Sequence, residues 1–214
     1  MRVIPIAAGM ILASKVSVPL SQRIGTKLVV ALGLGIVAAS LSLVAGFQVD
    51  SSYPQIATAL GMIGVGIGLA MSPATEAIMG ALPCDKAGIG SAMNDVVREV
   101  GGTLGIAVLG SLLTSYYGFT MDDAVTTLPA NAAEAASDSV GAAHALAAQM
   151  PTDAGTHLVG LANQAFVDGL ATTATIAAAA AVIGALIALA FLPARGRNES
   201  EIVVGDETLA PAPA

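Results

Sequence analysis

Five apolar windows divide the chain, near residues 3–20, 28–47, 55–82, 90–117 and 170–192. A helix rising 1.5 Å per residue needs roughly 20 residues to cross a hydrocarbon core of about 30 Å, and each window approaches or exceeds that length. The windows at 28–47 and 170–192 contain no charged residue, and 55–82 contains only Glu76. The first is less uniform because Lys15 interrupts it. The fourth carries its charges at one end, where Asn94, Asp95, Arg98 and Glu99 precede the uncharged run from Val100 to Tyr117. The pattern predicts an all-α integral membrane protein with about five transmembrane helices.

Composition points the same way. Hydrophobic residues make up 55% of the chain and charged residues 11%, far from the balance of a soluble domain, so the lipid bilayer is the main partner. Arg2 ahead of an apolar run suggests a secretory leader, but Lys15 and Pro19 interrupt it and no small-residue cleavage site leads into a soluble domain. Cys84 is the only cysteine, and no Cys/His cluster has metal-ligand spacing, so neither a metal nor a cofactor is expected. His144 and His157 fall in a polar stretch and read as surface residues. No Ser/His, paired-Asp or His-metal constellation lies in the spans, and Glu76 alone does not make an intramembrane enzyme.

Basic residues orient the helices. Arg2, Lys15, Arg23, Lys27, Lys86, Arg98, Arg195 and Arg197 are the whole set, and the interval from Glu99 to Pro193 contains none. The positive-inside rule therefore places the turns at 21–27 and 83–88 and the C-terminal tail in the cytoplasm. The segment 48–54 and the region 118–168 then lie outside, and the cell membrane is the expected location. The net charge of −7 resides mostly in the outer region and the tail and argues against nucleic acid as a partner. Only Met1 and Arg2 precede the first helix, so the chain reads as the C-terminal part of something larger, with a small five-helix protein as the alternative.

Gly64 and Gly68 have the small-xxx-small spacing that lets membrane helices approach closely, and Gly101 and Gly105 repeat it in the fourth helix. Two readings stand: ordinary close packing, or smooth surfaces that slide during transport. Pro73 removes a backbone hydrogen bond inside the third helix, and Glu76 follows it by nearly one turn. Ionisable groups in spanning segments are functional candidates with an expected partner. Asn94 and Arg98 share a helix face at i, i+4, and Asp95 reaches Arg98 at i, i+3. A link from Glu76 to Arg98 or Asn94 is the expected solution for the carboxylate. It serves either as a structural latch or as part of a proton or substrate path.

The stretch from Gly66 to Ser111, containing SPATEAIMGALP, AGIGSAMNDVVREVGG and LGIAVLGS, resembles the twelfth and thirteenth helices of the 14-helix drug:proton antiporter branch of the major facilitator superfamily. Residues 165–193, with AFVDG, an apolar helix and Leu-Pro, resemble that family's last helix. PLSQRIGTK at 19–27 is similar to the second copy of the superfamily's cytoplasmic loop motif, matched by Arg23, Gly25 and Lys27. It departs from that pattern at Val18, Gln22 and Thr26, where the family commonly has Gly, Asp and a basic residue. The resemblance implies a partial C-terminal bundle, over residues 1–193, of a proton-coupled multidrug efflux transporter. It further implies that small-molecule drugs and protons are the partners of the full-length parent and that the missing N-terminal half is a partner of this chain. A substrate cavity in such a fold lies between two halves, so the chain alone is expected not to transport. The alternative is a non-transporting interaction module, a half-bundle that assembles with another chain.

The extracytoplasmic region 118–168 reads as a long loop with one amphipathic helix at 132–150 and a second at 157–168 leading into the last span. The acidic tail at 194–214 ends in APAPA and is expected to be a disordered cytoplasmic segment.

Overall fold

A computed structural model describes residues 4–80, 83, 86–126 and 129–192 of the chain. The expectations for the tail at 194–214, for Arg195 and Arg197, and for Arg2 and Cys84 fall outside the described residues. The described residues form seven α-helices: α1 (Ile4–Ile24), α2 (Thr26–Val44), α3 (Tyr53–Gly80), α4 (Ala87–Ala124), α5 (Ala130–Asp138), α6 (Val140–Ala147) and α7 (Thr152–Phe191). Five of them, α1, α2, α3, α4 and α7, are long and apolar enough to cross a membrane.

The packed part of the bundle is built around α3, which lies between α1 and α2. Its glycines alternate between the two neighbours. A methyl group added at Gly68 would lie 2.6 Å from the Met10 carbonyl oxygen, and one at Gly64 would run into the Ile6 backbone, so this face takes α1. One at Gly66 would lie 2.6 Å from the Gly33 carbonyl oxygen, so the opposite face takes α2. Backbone-to-backbone contact of this kind replaces the hydrophobic driving force that is missing between helices in lipid. Ala13, Val29 and Leu69 fill one small core, and Val30, Ala70 and Ala188 fill another where α7 joins α2 and α3. The buried Ser40 hydroxyl donates to the Ala59 carbonyl at 2.6 Å and ties α2 to α3. Lys15 is exposed on α1, where a long side chain can lie along apolar surface while its ammonium reaches toward water.

The region 118–168, expected to carry two helices, holds more helix than that. α4 runs on to Ala124, α7 already begins at Thr152, and α5 and α6 fill the space between them. Together they make a cap at the end of the bundle that also holds the α2–α3 turn. Among the described residues the cap has the largest core: Tyr117, Met121 and Val125 from the end of α4, Ala136 from α5, Ala143 and Ala147 from α6, and Leu158, Ala162 and Ala165 from α7. The helical stripes of α4 and α7 therefore continue past the spans, with small residues where helices cross. The helix expected over 132–150 is two helices because Ser139 is fully extended (φ −160°, ψ 152°). Its hydroxyl accepts from the Ala142 amide at 3.2 Å and caps α6.

Candidate functional site

The residues singled out for chemistry lie at the other end of the bundle, on the α3–α4 hairpin. α3 continues through Pro73, whose side chain is fully buried, and ends at Gly80. Glu76 is exposed on it rather than enclosed. On α4, Asn94 is half-buried, while Asp95, Arg98 and Glu99 are exposed. Among the described residues, no hydrogen bond or ion pair joins Glu76 to Asn94 or Arg98, or Asp95 to Arg98, which corrects the expected link. The cause is the course of α4. It packs against α7 and α5 toward the cap and barely touches α3. Its membrane-length window holds no buried residue, and Ile89, Met93, Val97, Leu104 and Ile106 are all more than half exposed.

The glycines divide accordingly. Gly64 and Gly68 are wedged against α1, whereas a methyl group at Gly101 or Gly105 would meet nothing within 4 Å. Equal spacing thus marks an occupied groove on α3 and an open one on α4, a second correction to the expected packing. Beside Gly68, a groove of about 360 Å3 between α1 and α3 is lined by Met10, Met71, Ser14, Ser72 and Thr75, one residue from Glu76. Polarizable thioethers and hydroxyls suit a planar apolar body with a few polar contacts.

The loop-motif residues form a one-residue turn between α1 and α2. Gly25 has φ 92° and ψ 148°, a backbone region close to glycine-only, and donates its amide to Ser21 at 2.9 Å. Arg23 is exposed, Lys27 half-buried, and Thr26 buried. Gly25 is thus required by backbone shape as well as by motif.

Two polar clefts at the cap end were not anticipated from sequence. One, of about 620 Å3, lies between α4 and α5 and is lined by Asp122, Glu134 and Asp138. The other, of about 410 Å3, lies between the α2–α3 turn and α7, with Phe47, Gln48, Asp50, Gln164 and Asp168 on its walls. The second joins residues 45–50 to residues 164–171, and only the absence of Lys and Arg from this end of the chain hinted at an anionic surface.

No family model matches the chain. Similarity to individual transporters is extensive. Over 186 residues, 85% of this chain, it is 30% identical to the multidrug efflux pump LfrA of Mycolicibacterium smegmatis, and covers 37% of that protein. It is 30% identical over 194 residues to the tetracenomycin C resistance and export protein of Streptomyces glaucescens, covering 87% of this chain and 36% of the relative. A triacylglyceride transporter of Mycolicibacterium smegmatis is 36% identical over 140 residues, 61% of this chain and 24% of that protein. The chain therefore spans between 24% and 37% of the length of these curated relatives, which are transporters rather than enzymes. With five membrane-length helices and this similarity, the chain belongs to the drug-efflux transporters of the major facilitator superfamily.

Proposed function

We propose that this chain is the C-terminal part of a proton-coupled exporter of hydrophobic or cationic small molecules in the cell membrane, and that it does not transport by itself. The observation that carries the reading is α4, an apolar membrane-length helix whose window holds no buried residue and whose glycine face is open. Such a face next to Glu76, Asn94, Asp95 and Arg98 suits the inner wall of a larger bundle whose remaining helices complete a cavity. The relatives' names span tetracenomycin C and triacylglyceride, which supports apolar cargo as a class rather than one compound. In this reading the Arg23–Gly25–Lys27 turn and the C-terminus face the cytoplasm, and Glu76 is the proton-path candidate.

Expression of the 214-residue chain in efflux-deficient cells is expected to leave their resistance to ethidium unchanged, while a full-length parent raises it. Resistance conferred by the chain alone would overturn the reading. In the parent, Glu76→Gln is expected to abolish proton-coupled efflux without loss of membrane expression, and unchanged efflux would return Glu76 to a structural role. The same open face of α4 favours a second reading, a non-transporting half-bundle that assembles with another chain. A discrete hetero-assembly on blue-native electrophoresis, in cells where no efflux is gained, supports that second reading.

A further inference from the structure

Lys15 is a positive charge in the middle of a spanning helix, and neither the hairpin nor the cap makes use of it. α1 runs for 21 residues, about 31 Å, and Lys15 stands about 16 Å of helix from Ile4 and about 13 Å from Ile24. Arg23 and Lys27, by contrast, flank the turn where α1 meets α2. A lysine near a helix end reaches the membrane surface by snorkelling. From mid-helix, leaning toward water takes the ammonium only part of the way. The Cα–Cβ bond also tilts toward the helix N-terminus, which here is the more distant end.

Packing sets the direction in which Lys15 faces. α1 meets α3 through Gly9, Ala13, Ser17 and Ser21, all buried and spaced about one turn apart. Lys15 is two residues from both Ala13 and Ser17, about 200° around the helix, so it faces away from α3. Its neighbours on that side, Ile11, Leu12 and Val16, are all more than half exposed. Among the described residues no carboxylate pairs with Lys15. Glu76 is the only acidic residue in the first three apolar windows, and it belongs to α3, on the other side of α1.

These observations select one kind of occupant. Mid-helix depth is wrong for a lipid phosphate, which lies at the membrane surface. The apolar residues around Lys15 suit another helix rather than a dissolved anion. Buried charge in a membrane is paired, and a carboxylate on that helix both neutralises the ammonium and accepts a charge-assisted hydrogen bond from it. We infer that this face of α1 docks a membrane helix carrying an Asp or Glu at mid-membrane depth, paired with Lys15, and that this helix comes from the part of the parent outside these 214 residues. The source of the helix rests on the transport reading; the charge pairing does not.

The pairing is tested with the 214-residue chain in nanodiscs and a fluorescent synthetic spanning helix of Leu and Ala with one Glu at its centre. The Glu helix is expected to bind saturably and roughly tenfold more tightly than the same helix with Gln. Lys15→Met is expected to abolish that difference and Lys15→Arg to keep it. Circular dichroism and a single size-exclusion peak establish that each variant is folded; if Lys15→Met fails that check, Lys15→Gln replaces it. Equal midpoints for the Glu and Gln helices, or a preference that survives in the folded neutral variant, overturns the proposal. The source is tested in the full-length parent with dicyclohexylcarbodiimide, which partitions into membranes and couples a carboxyl to an adjacent amine as an amide, leaving the urea. Peptide mass spectrometry is expected to find Lys15 joined to an Asp or Glu of a preceding span. A parent that exports but gives no such amide, or an amide to a second copy of the chain, overturns the assigned occupant. An amide in a parent that does not export supports the docking and overturns the transport reading instead.

Discussion

Gly64 and Gly105 have the same neighbour spacing and opposite surroundings. Gly64 meets the Ile6 backbone, and Gly105 faces open space. Gly64→Ala is therefore expected to destabilise the chain by about 1–3 kcal/mol, because neither backbone can give way. Gly105→Ala is expected to be neutral or to stabilise by up to about 1 kcal/mol, since it only removes a glycine from a helix interior. Thermal melts followed by circular dichroism in one detergent check the pair, and equal losses would contradict the arrangement. The spacing was legible in the sequence, but whether a partner fills it was not. The same limit applies to Glu76: the shared face of Asn94 and Arg98 follows from helical geometry, whereas a bond between helices depends on the course of α4, which no local pattern sets.

At the scale of elements, the cap is the part least visible to hydropathy. α5 and α6 are short, nine and eight residues, and α5 carries Glu134 and Asp138, so neither registers as a spanning window. The packing signal was nevertheless present, in Tyr117, Met121 and Val125 on one stripe and Leu158, Ala162 and Ala165 on another. Tyr117 joins the pieces: its hydroxyl donates to the Ala136 carbonyl at 3.0 Å inside the core. Tyr117→Phe leaves that buried carbonyl without its donor and is expected to weaken the cap by about 1–3 kcal/mol. Hydrogen exchange should then speed up across α5 and α6 while α1, α2 and α3 keep their protection. Uniform acceleration across all helices would mean that the cap is not a separate cooperative unit.

For the whole molecule, the membrane class was evident from composition and from five windows of spanning length, all of which are helices in the structure. The inside–outside assignment rests on eight basic residues and is directly testable. A membrane-impermeant maleimide applied to intact cells is expected to label Ala145→Cys, on the exposed side of α6, in a background where Cys84 is replaced by Ser. The native Cys84 should react only after permeabilisation, and the reverse result would invert the topology. α4 is one helix of 38 residues, about 57 Å long, gripped by the cap from Tyr117 onward and in little contact with α3. From Tyr117 to the Asn94–Arg98 turn is about 32 Å of helix, so a tilt of roughly 5° at the grip sweeps that turn sideways by about 3 Å. In mechanical terms α4 by itself is a cantilever, and any helix packed on its open glycine face would act as its brace.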